Sequence, residues 1–402
     1  MMEIVSRILS AMPGVGKVQH RFLVMLFTAI LVSRGKVNFR NLSRYSDLNE
    51  KTYSRQFAKS FDFVQFNRQL IGQAFGKSSE RISVFDASFI KKAGPKTYGH
   101  SFFYNGSHNR AEKGLEISSL AIVDIPYHTA LTLSVKQSPP LAQKARAFES
   151  ETLMDHYIDH IKEVRPYLHQ TETILVLDGN FAKIKVFEAL GELALTSITR
   201  LRFDADMRYF YEGPKRPSGS GRQKLYDGKV HWQDLSRFED LGDYQGYKLY
   251  TKVLNHRHFK RTLRVVVIVD PLEENNYAIL ATTDIHLDAR TIVRYYRVRF
   301  QIEFTYRDSK QYTGLVDCQA RDKNRLDFHF NASLTTLNIA RVEQITAQDA
   351  AEPFIFSMAS IKTRYFNEHY LNLFFSIFGL QPELIKKSPH YQTLCNYGAI
   401  AA

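Results

Sequence analysis

YRVRFQIEFTYRDSK, residues 296–310, is the stretch on which the reading of this chain turns. It carries Tyr296, Arg299, Glu303 and Lys310, at successive steps of three, four and seven residues. On a single α-helix advancing about 100° per residue these fall at roughly 0°, 300°, 340° and 320°, an arc of about 60°. Val298, Ile302, Tyr295 and Tyr306 occupy the neighbouring arc, and Arg294, Arg297, Gln301, Thr305 and Asp308 the far side. The spacing predicts a helix with three sides: one apolar, one solvated, and one presenting a carboxylate flanked by two cations and a phenol. An amphipathic helix needs only two. An i,i+4 ion pair between Arg299 and Glu303 would by itself account for the pattern, so the stretch has to be weighed with the rest of the chain.

The chain has 402 residues, of which 44% are apolar, enough for two or three domains with real cores and too many for a disordered tail. Its 54 basic residues against 41 acidic ones leave a formal charge of +13, which favours a polyanionic partner, nucleic acid or an anionic surface. The longest apolar run, residues 22–32, is shorter than the roughly 20 residues needed to cross a bilayer. It is read as a buried helix, with no membrane partner expected. The cysteines, Cys318 and Cys395, offer neither a disulfide framework nor a zinc set. A reducing cytosol is the expected location.

Residues 1 to about 70 read as helical. Residues 38–45, a break at Ser46-Asp47, and residues 49–61 suit a helix-turn-helix, with Lys51, Thr52, Ser54, Arg55 and Gln56 on the second helix; of these Lys51 and Arg55 are the candidate DNA contacts. From residue 81 strands are expected, at 82–85, 117–123 and 129–135, then a helix over 144–164, a strand at 174–177, a helix over 181–190 and a strand at 195–198. A meander followed by alternating α and β implies a mixed sheet covered by helices, of the α/β (mixed α+β) class. Residues 200–285 interrupt it as a β-rich insertion, with a Pro/Gly/Ser-rich basic loop at 213–229 and strands at 247–254, 262–269 and 277–282. Asp288 is the expected N-cap of the helix that follows. Helices are then expected over 328–344 and 357–378. The predicted organisation is a helical region with the candidate DNA contacts (1–75), a mixed α/β core (76–199 with 286–322), the insertion (200–285) and a helical C-terminal region (323–402).

Three acids stand out. Asp86 ends the strand 82–85, Asp178 ends the strand 174–177, and Glu303 lies in the opening stretch. Each aspartate singly is most simply a cap for the turn after it, Asp178-Gly179 especially. Together, carboxylates at the ends of adjacent buried strands suit hard cations such as Mg²⁺, which prefer two or three such oxygens plus waters and substrate phosphates. Such ions can activate a nucleophile on one side of a phosphodiester and stabilise the leaving oxygen on the other.

At this point the sequence resembles the DDE transposases of bacterial insertion sequences, in the subgroup whose third acid lies within a Y-x2-R-x3-E-x6-K signature. Tyr296, Arg299, Glu303 and Lys310 match its every position. Asp86-Ala-Ser-Phe-Ile-Lys-Lys92, Lys113-Gly-Leu-Glu-Ile-Ser118 and Leu177-Asp-Gly-Asn-Phe-Ala-Lys183 also look like this family, and the resemblance covers about residues 38–345. It implies a ribonuclease-H-like fold on which Asp86, Asp178 and Glu303 hold two Mg²⁺ ions, with Mn²⁺ as a substitute. It further implies that Arg299 and Lys310 grip phosphates near the transposon end and that Tyr296 meets a backbone phosphate beside a flipped base. The implied reaction is hydrolysis at the 3′ end, hairpin formation, reopening and joining to target DNA, performed by a homodimer that synapses two inverted repeats.

Other candidates for contact with double-stranded DNA are the basic loop, Lys215, Arg216, Arg222 and Lys224, and Arg200 and Arg202 after the last core strand. Trp232, the single tryptophan, is either a stacking partner for a displaced base or a core aromatic of the insertion. His329 and Asn331 are expected to serve structure. The rivals to a transposase are a non-mobile nuclease on the same fold and a non-catalytic DNA-binding descendant; three convergent carboxylates argue against the second.

Overall fold

The computed structural model describes residues 2–76, 80–139, 152–218, 221–347 and 355–400. Its helices are α1 (Met2–Ala11), α2 (Lys17–Val32), α3 (Phe39–Leu42), α4 (Glu50–Phe57), α5 (Phe63–Ala74), α6 (Leu153–Val164), α7 (Ile184–Glu192), α8 (Ala289–Val298), α9 (Gln301–Tyr312), α10 (Lys323–Ala347), α11 (Met358–Ile377), α12 (Pro382–Lys386) and α13 (Pro389–Cys395). The strands are β1 (Arg81–Ile90), β2 (Ser101–Asn105), β3 (Arg110–Asp124), β4 (Thr129–Gln137), β5 (Ile174–Leu177), β6 (Thr196–Leu201), β7 (Met207–Phe210), β8 (Tyr226–Lys229), β9 (Glu239–Tyr244), β10 (Tyr247–His256), β11 (Arg261–Asp270) and β12 (Glu273–Thr282). They fall into two units. One comprises Met1–Ser79, Ala87–His156 and Gln301–Ala402, the other Glu80–Asp86 and Tyr157–Phe300.

In the second unit β1 and β5 are parallel, as are β5 and β6, and β12 closes on β6 antiparallel. This is the expected mixed sheet. The strands of the insertion continue it, β12 to β11 to β10, rather than forming a sheet of their own. Val84, Val176 and Ile198 have no exposed surface, which is what parallel strands covered on both faces require. At the start of β1, Ser83 donates to the Glu172 carbonyl at 2.7 Å, and the buried Arg81 faces the buried Glu172 at 3.3 Å. The apolar side of the insertion is a cluster built on Tyr209, Trp232, Phe238, Leu254, Leu263 and Val265.

In the first unit β3 pairs with β4 across the expected turn, and with β2, a strand that the sequence pattern does not reveal. Leu120 pairs with Ser134 but Ala121 with Thr132, so Leu133 is an extra residue that bulges β4. The fully buried Asn338 of α10 repairs the ladder there: its amide accepts from the Thr132 N–H at 2.9 Å and donates to the Thr132 carbonyl at 2.7 Å. Arg341, one turn on, donates to the Ala130 carbonyl (2.6 Å), the Thr305 hydroxyl (2.8 Å) and the Asp308 carboxylate (3.2 Å), tying α9 to β4 and α10. The N-terminal helices are confirmed. Most of α2 is buried, and among the described residues no helix is long and apolar enough to cross a membrane. Of the helix expected over 144–164, residues 144–151 lie outside the described residues and the remainder is α6.

Two expectations need correction. Strand β1 does not end at Asp86 but runs on to Ile90; after Phe85 its burial eases from complete to partial. The stretch 296–310 is not one helix. The Arg299 N–H still reaches the Tyr295 carbonyl, at 3.3 Å, but the Phe300 N–H turns to the Arg297 carbonyl, and a new helix starts at Gln301. No proline or glycine marks that break, so the period alone could not reveal it.

Candidate active site

The last pair of the β1–β5 ladder is Phe85 with Leu177. The next residue on each strand is an acid, so the parallel register sets Asp86 beside Asp178 on strands about 4.8 Å apart. Asp178 also caps the turn that follows it, accepting the Asn180 N–H at 3.4 Å. Gly179 permits a close approach there: a Cβ on it would sit 3.1 Å from the Arg200 carbonyl of β6. The Thr199 hydroxyl, which sequence reasoning passed over, donates to the Asp178 carbonyl at 3.1 Å and fixes the same corner.

Helix α8 brings cations to this corner. Asp288 caps it by accepting the Thr291 N–H at 2.9 Å, as expected. Glu80, also missed, receives hydrogen bonds from Arg294 and the Tyr295 phenol and holds α8 to the start of β1. At the end of α8 the Arg299 guanidinium lies 3.7 Å from the Asp86 carboxylate, with the two side chains 12% and 18% exposed. It also lies 5.6 Å from the centroid of the Tyr296 ring. Burial pushes the Tyr296 phenol above its ordinary range, Arg299 and Arg200 act against that, and Asp178 adds to it. Asp86, Asp178, Tyr296, Arg299 and Arg200 are thus one electrostatic cluster in the second unit.

Glu303 and Lys310 stand on α9, in the first unit. Glu303 is half-buried. The Lys310 ammonium donates to the Ser88 hydroxyl at 2.9 Å, and burial lowers its pKa. Ser88 is two residues beyond Asp86, a spacing that strand alternation made readable.

The remaining candidates scatter. Lys51 and Arg55 are exposed on α4, whose Asn49 cap accepts the Thr52 N–H at 2.8 Å, while Gln56 on the same helix is buried. Lys215, Arg216 and Arg222 are exposed in a loop cross-tied by Gln223 to both backbone groups of Arg216, each at 2.9 Å. Lys224 is paired with Asp227 and Arg202 with Asp204, both pairs exposed to solvent. Arg200 stacks on Phe203. Trp232 is 6% exposed in the core of the insertion, where it packs on Phe238 and borders a cavity of about 250 Å³. His329 hydrogen-bonds the Gly314 carbonyl and Asn331 donates to the Val135 carbonyl, both structural roles. Both cysteines are free and buried.

A protein-family profile described as the transposase DDE domain matches residues 77–339, well over half of the chain and spanning all three acids. The chain belongs to the DDE transposases. A search of curated proteins found no match. The family match carries DNA as the polymer acted on and a divalent metal as the usual cofactor. The donor set of this transposase suits such an ion: Asp86 and Asp178, neighbours by strand register, both offer hard carboxylate oxygens. Among the described residues no group of three or more His, Cys, Asp and Glu side chains is gathered to hold a metal.

Proposed function

We propose that the chain is the cut-and-paste transposase of an insertion sequence, acting in the cytoplasm on the inverted repeats that end its element. Asp86, Asp178 and Glu303 would hold Mg²⁺, or Mn²⁺ in its place, and the bound metal supplies Lewis-acid stabilisation of the phosphodiester oxygens and activation of water. The single observation that carries this reading is the register of β1 against β5, which sets two acids side by side at the mouth of a buried parallel sheet. Arg299 serves two anions in turn. It balances Asp86 in the free protein, and its planar fork suits a DNA phosphate. Lys310, a compact charge on a flexible stem, takes a second phosphate, and Tyr296 supports the backbone between them.

In this reading water first cleaves the 3′ end of the element. The freed 3′-hydroxyl then attacks the opposite strand, whose displaced oxygen leaves with the flanking DNA, and a hairpin results. Reopening the hairpin regenerates the hydroxyl that joins target DNA. Lys51 and Arg55 on α4 and the loop cations Lys215, Arg216 and Arg222 track duplex outside the reacting bonds. Two copies are needed to hold two ends, and the exposed Tyr370, Leu373, Phe374 and Ile377 of α11 give an apolar surface for that pairing.

The test is to incubate the full chain with Mg²⁺, a duplex carrying the element's end and a target plasmid. Nicked, hairpin and joined products are expected in that order. Nicked product alone would favour the non-mobile nuclease, and binding with no cleavage the non-catalytic descendant.

A further inference from the structure

A second concentration of positive charge lies within the first unit, away from the two aspartates in sequence. The turn Ser33–Lys36 after α2, the end of α9 from Lys310 to Tyr312, and Ala359, Lys362 and Thr363 of α11 line a cleft of about 440 Å³. Arg34, Lys36, Lys310 and Lys362 face it with one carboxylate, Asp317. That acid is already engaged, accepting the Val37 N–H at 2.8 Å. Net charge in the cleft is therefore strongly positive.

The frame of the cleft is also fixed before any ligand arrives. The Asn41 amide donates to the Arg34 and Lys36 carbonyls at 2.8 and 2.9 Å, which fixes the turn around Gly35. Gly314, at φ +77°, leaves room for Val37: a Cβ there would sit 2.2 Å from the Val37 Cβ. Arg34 lies 4.4 Å over the Phe366 ring. The Lys362 ammonium donates to the Ile30 and Tyr312 carbonyls, at 2.8 and 2.9 Å, and one of its three N–H groups is left over. Burial, with Arg34 next in weight and Asp317 opposing, pushes Lys362 down to about 8. Four cations converging on one cleft repel one another, and an anion in the cleft relieves that repulsion.

We propose that this cleft binds a backbone phosphate of the DNA duplex, one position along from the phosphate held by Lys310, with Arg34, Lys36 and Lys362 as the contacts. The inference rests on the transposase reading and adds to it a grip that lies outside the 296–310 signature. A contact of this kind recognises phosphate without regard to sequence, so it fixes the path of the duplex rather than its identity.

The test is binding of the full chain to fluorescent duplex in EDTA, which stops chemistry, over a range of salt concentrations. Arg34→Gln/Lys36→Gln alters two exposed side chains and leaves the buried Lys362 in place; exposed Lys162→Gln/Lys387→Gln, which removes the same two charges elsewhere, is the Lys162 control. The double variant should weaken binding to end-bearing and unrelated duplex equally. Its slope of log K against log salt should become shallower by up to about 0.9, the value for one phosphate no longer neutralised. A slope and affinity equal to those of the Lys162 control would overturn the inference while leaving the transposase reading intact. A wild-type chain that binds no end-bearing duplex would overturn both.

Discussion

Replacing Arg341 by Met tests what holds the helix of Glu303 and Lys310. Arg341 is 3% exposed, and its guanidinium bonds three groups, at 2.6, 2.8 and 3.2 Å, on β4 and α9. Burial lowers its pKa to about 10, with Asp308 opposing, so it is charged at neutral pH. Breaking a buried ion pair by removing one partner costs about 3–5 kcal/mol, because the other charge stays behind. Asp308 keeps Arg307 at 3.0 Å, but the Arg307 side chain is 63% exposed and compensates weakly. The lower end is therefore expected, about 3 kcal/mol. The assay is urea unfolding followed by far-ultraviolet circular dichroism, together with amide hydrogen exchange. Arg341→Met should lower stability by that amount and speed exchange across α9. Asp308→Leu added to it should restore at least about 1 kcal/mol by removing the stranded charge. A single-variant cost below about 1 kcal/mol, the level of a surface substitution, would refute the reasoning.

Burial pushes the Asp327 carboxyl up to about 6, with Lys323 and Lys136 pulling the other way. Since its folded pKa lies above the ordinary 3.8, the folded chain binds the extra proton, and stability should fall as pH rises from about 4 to about 6. Asp327→Asn should remove that loss and gain on the order of 1–2 kcal/mol at pH 7 in thermal unfolding, after discounting for solvent; no gain at pH 7, or an equal gain at pH 4, would count against it. Trp232→Ala should cost about 3–5 kcal/mol as a core truncation of the insertion. A cost below about 1 kcal/mol would mean that the ring is free for stacking.

Much of the catalytic framework was legible because parallel strands buried on both faces leave short, unbroken apolar runs. Ile174–Leu177 reads directly, and an acid straight after such a run marks the strand's mouth. Asp288 was legible for a similar reason: a side chain that caps a helix is a local choice. Features set by distant contacts were not. Strand β2 is short and partly exposed and carries no alternation to betray it. The bulge at Leu133 exists because Asn338 satisfies Thr132 from a helix some 200 residues away. The break after Val298 has no local breaker, so a periodic count carried the helix through it and put Arg299 and Glu303 on one face. In the fold Arg299 meets Asp86. Trp232 had two readings that sequence weighed evenly; in the folded chain it is buried in the core of the insertion.

The account's central claim is that Glu303 joins Asp86 and Asp178 as the third metal ligand of a DNA strand transferase. Glu303→Gln keeps the shape of the side chain and removes its charge, so the most direct measurement compares it with wild type on end-bearing duplex, for binding in EDTA and for cleavage in Mg²⁺. The account predicts end binding within about twofold of wild type and cleavage reduced by at least about 10³, the loss of several kcal/mol of transition-state stabilisation. A Glu303→Gln protein that still cuts and forms hairpins at near wild-type rate would contradict it.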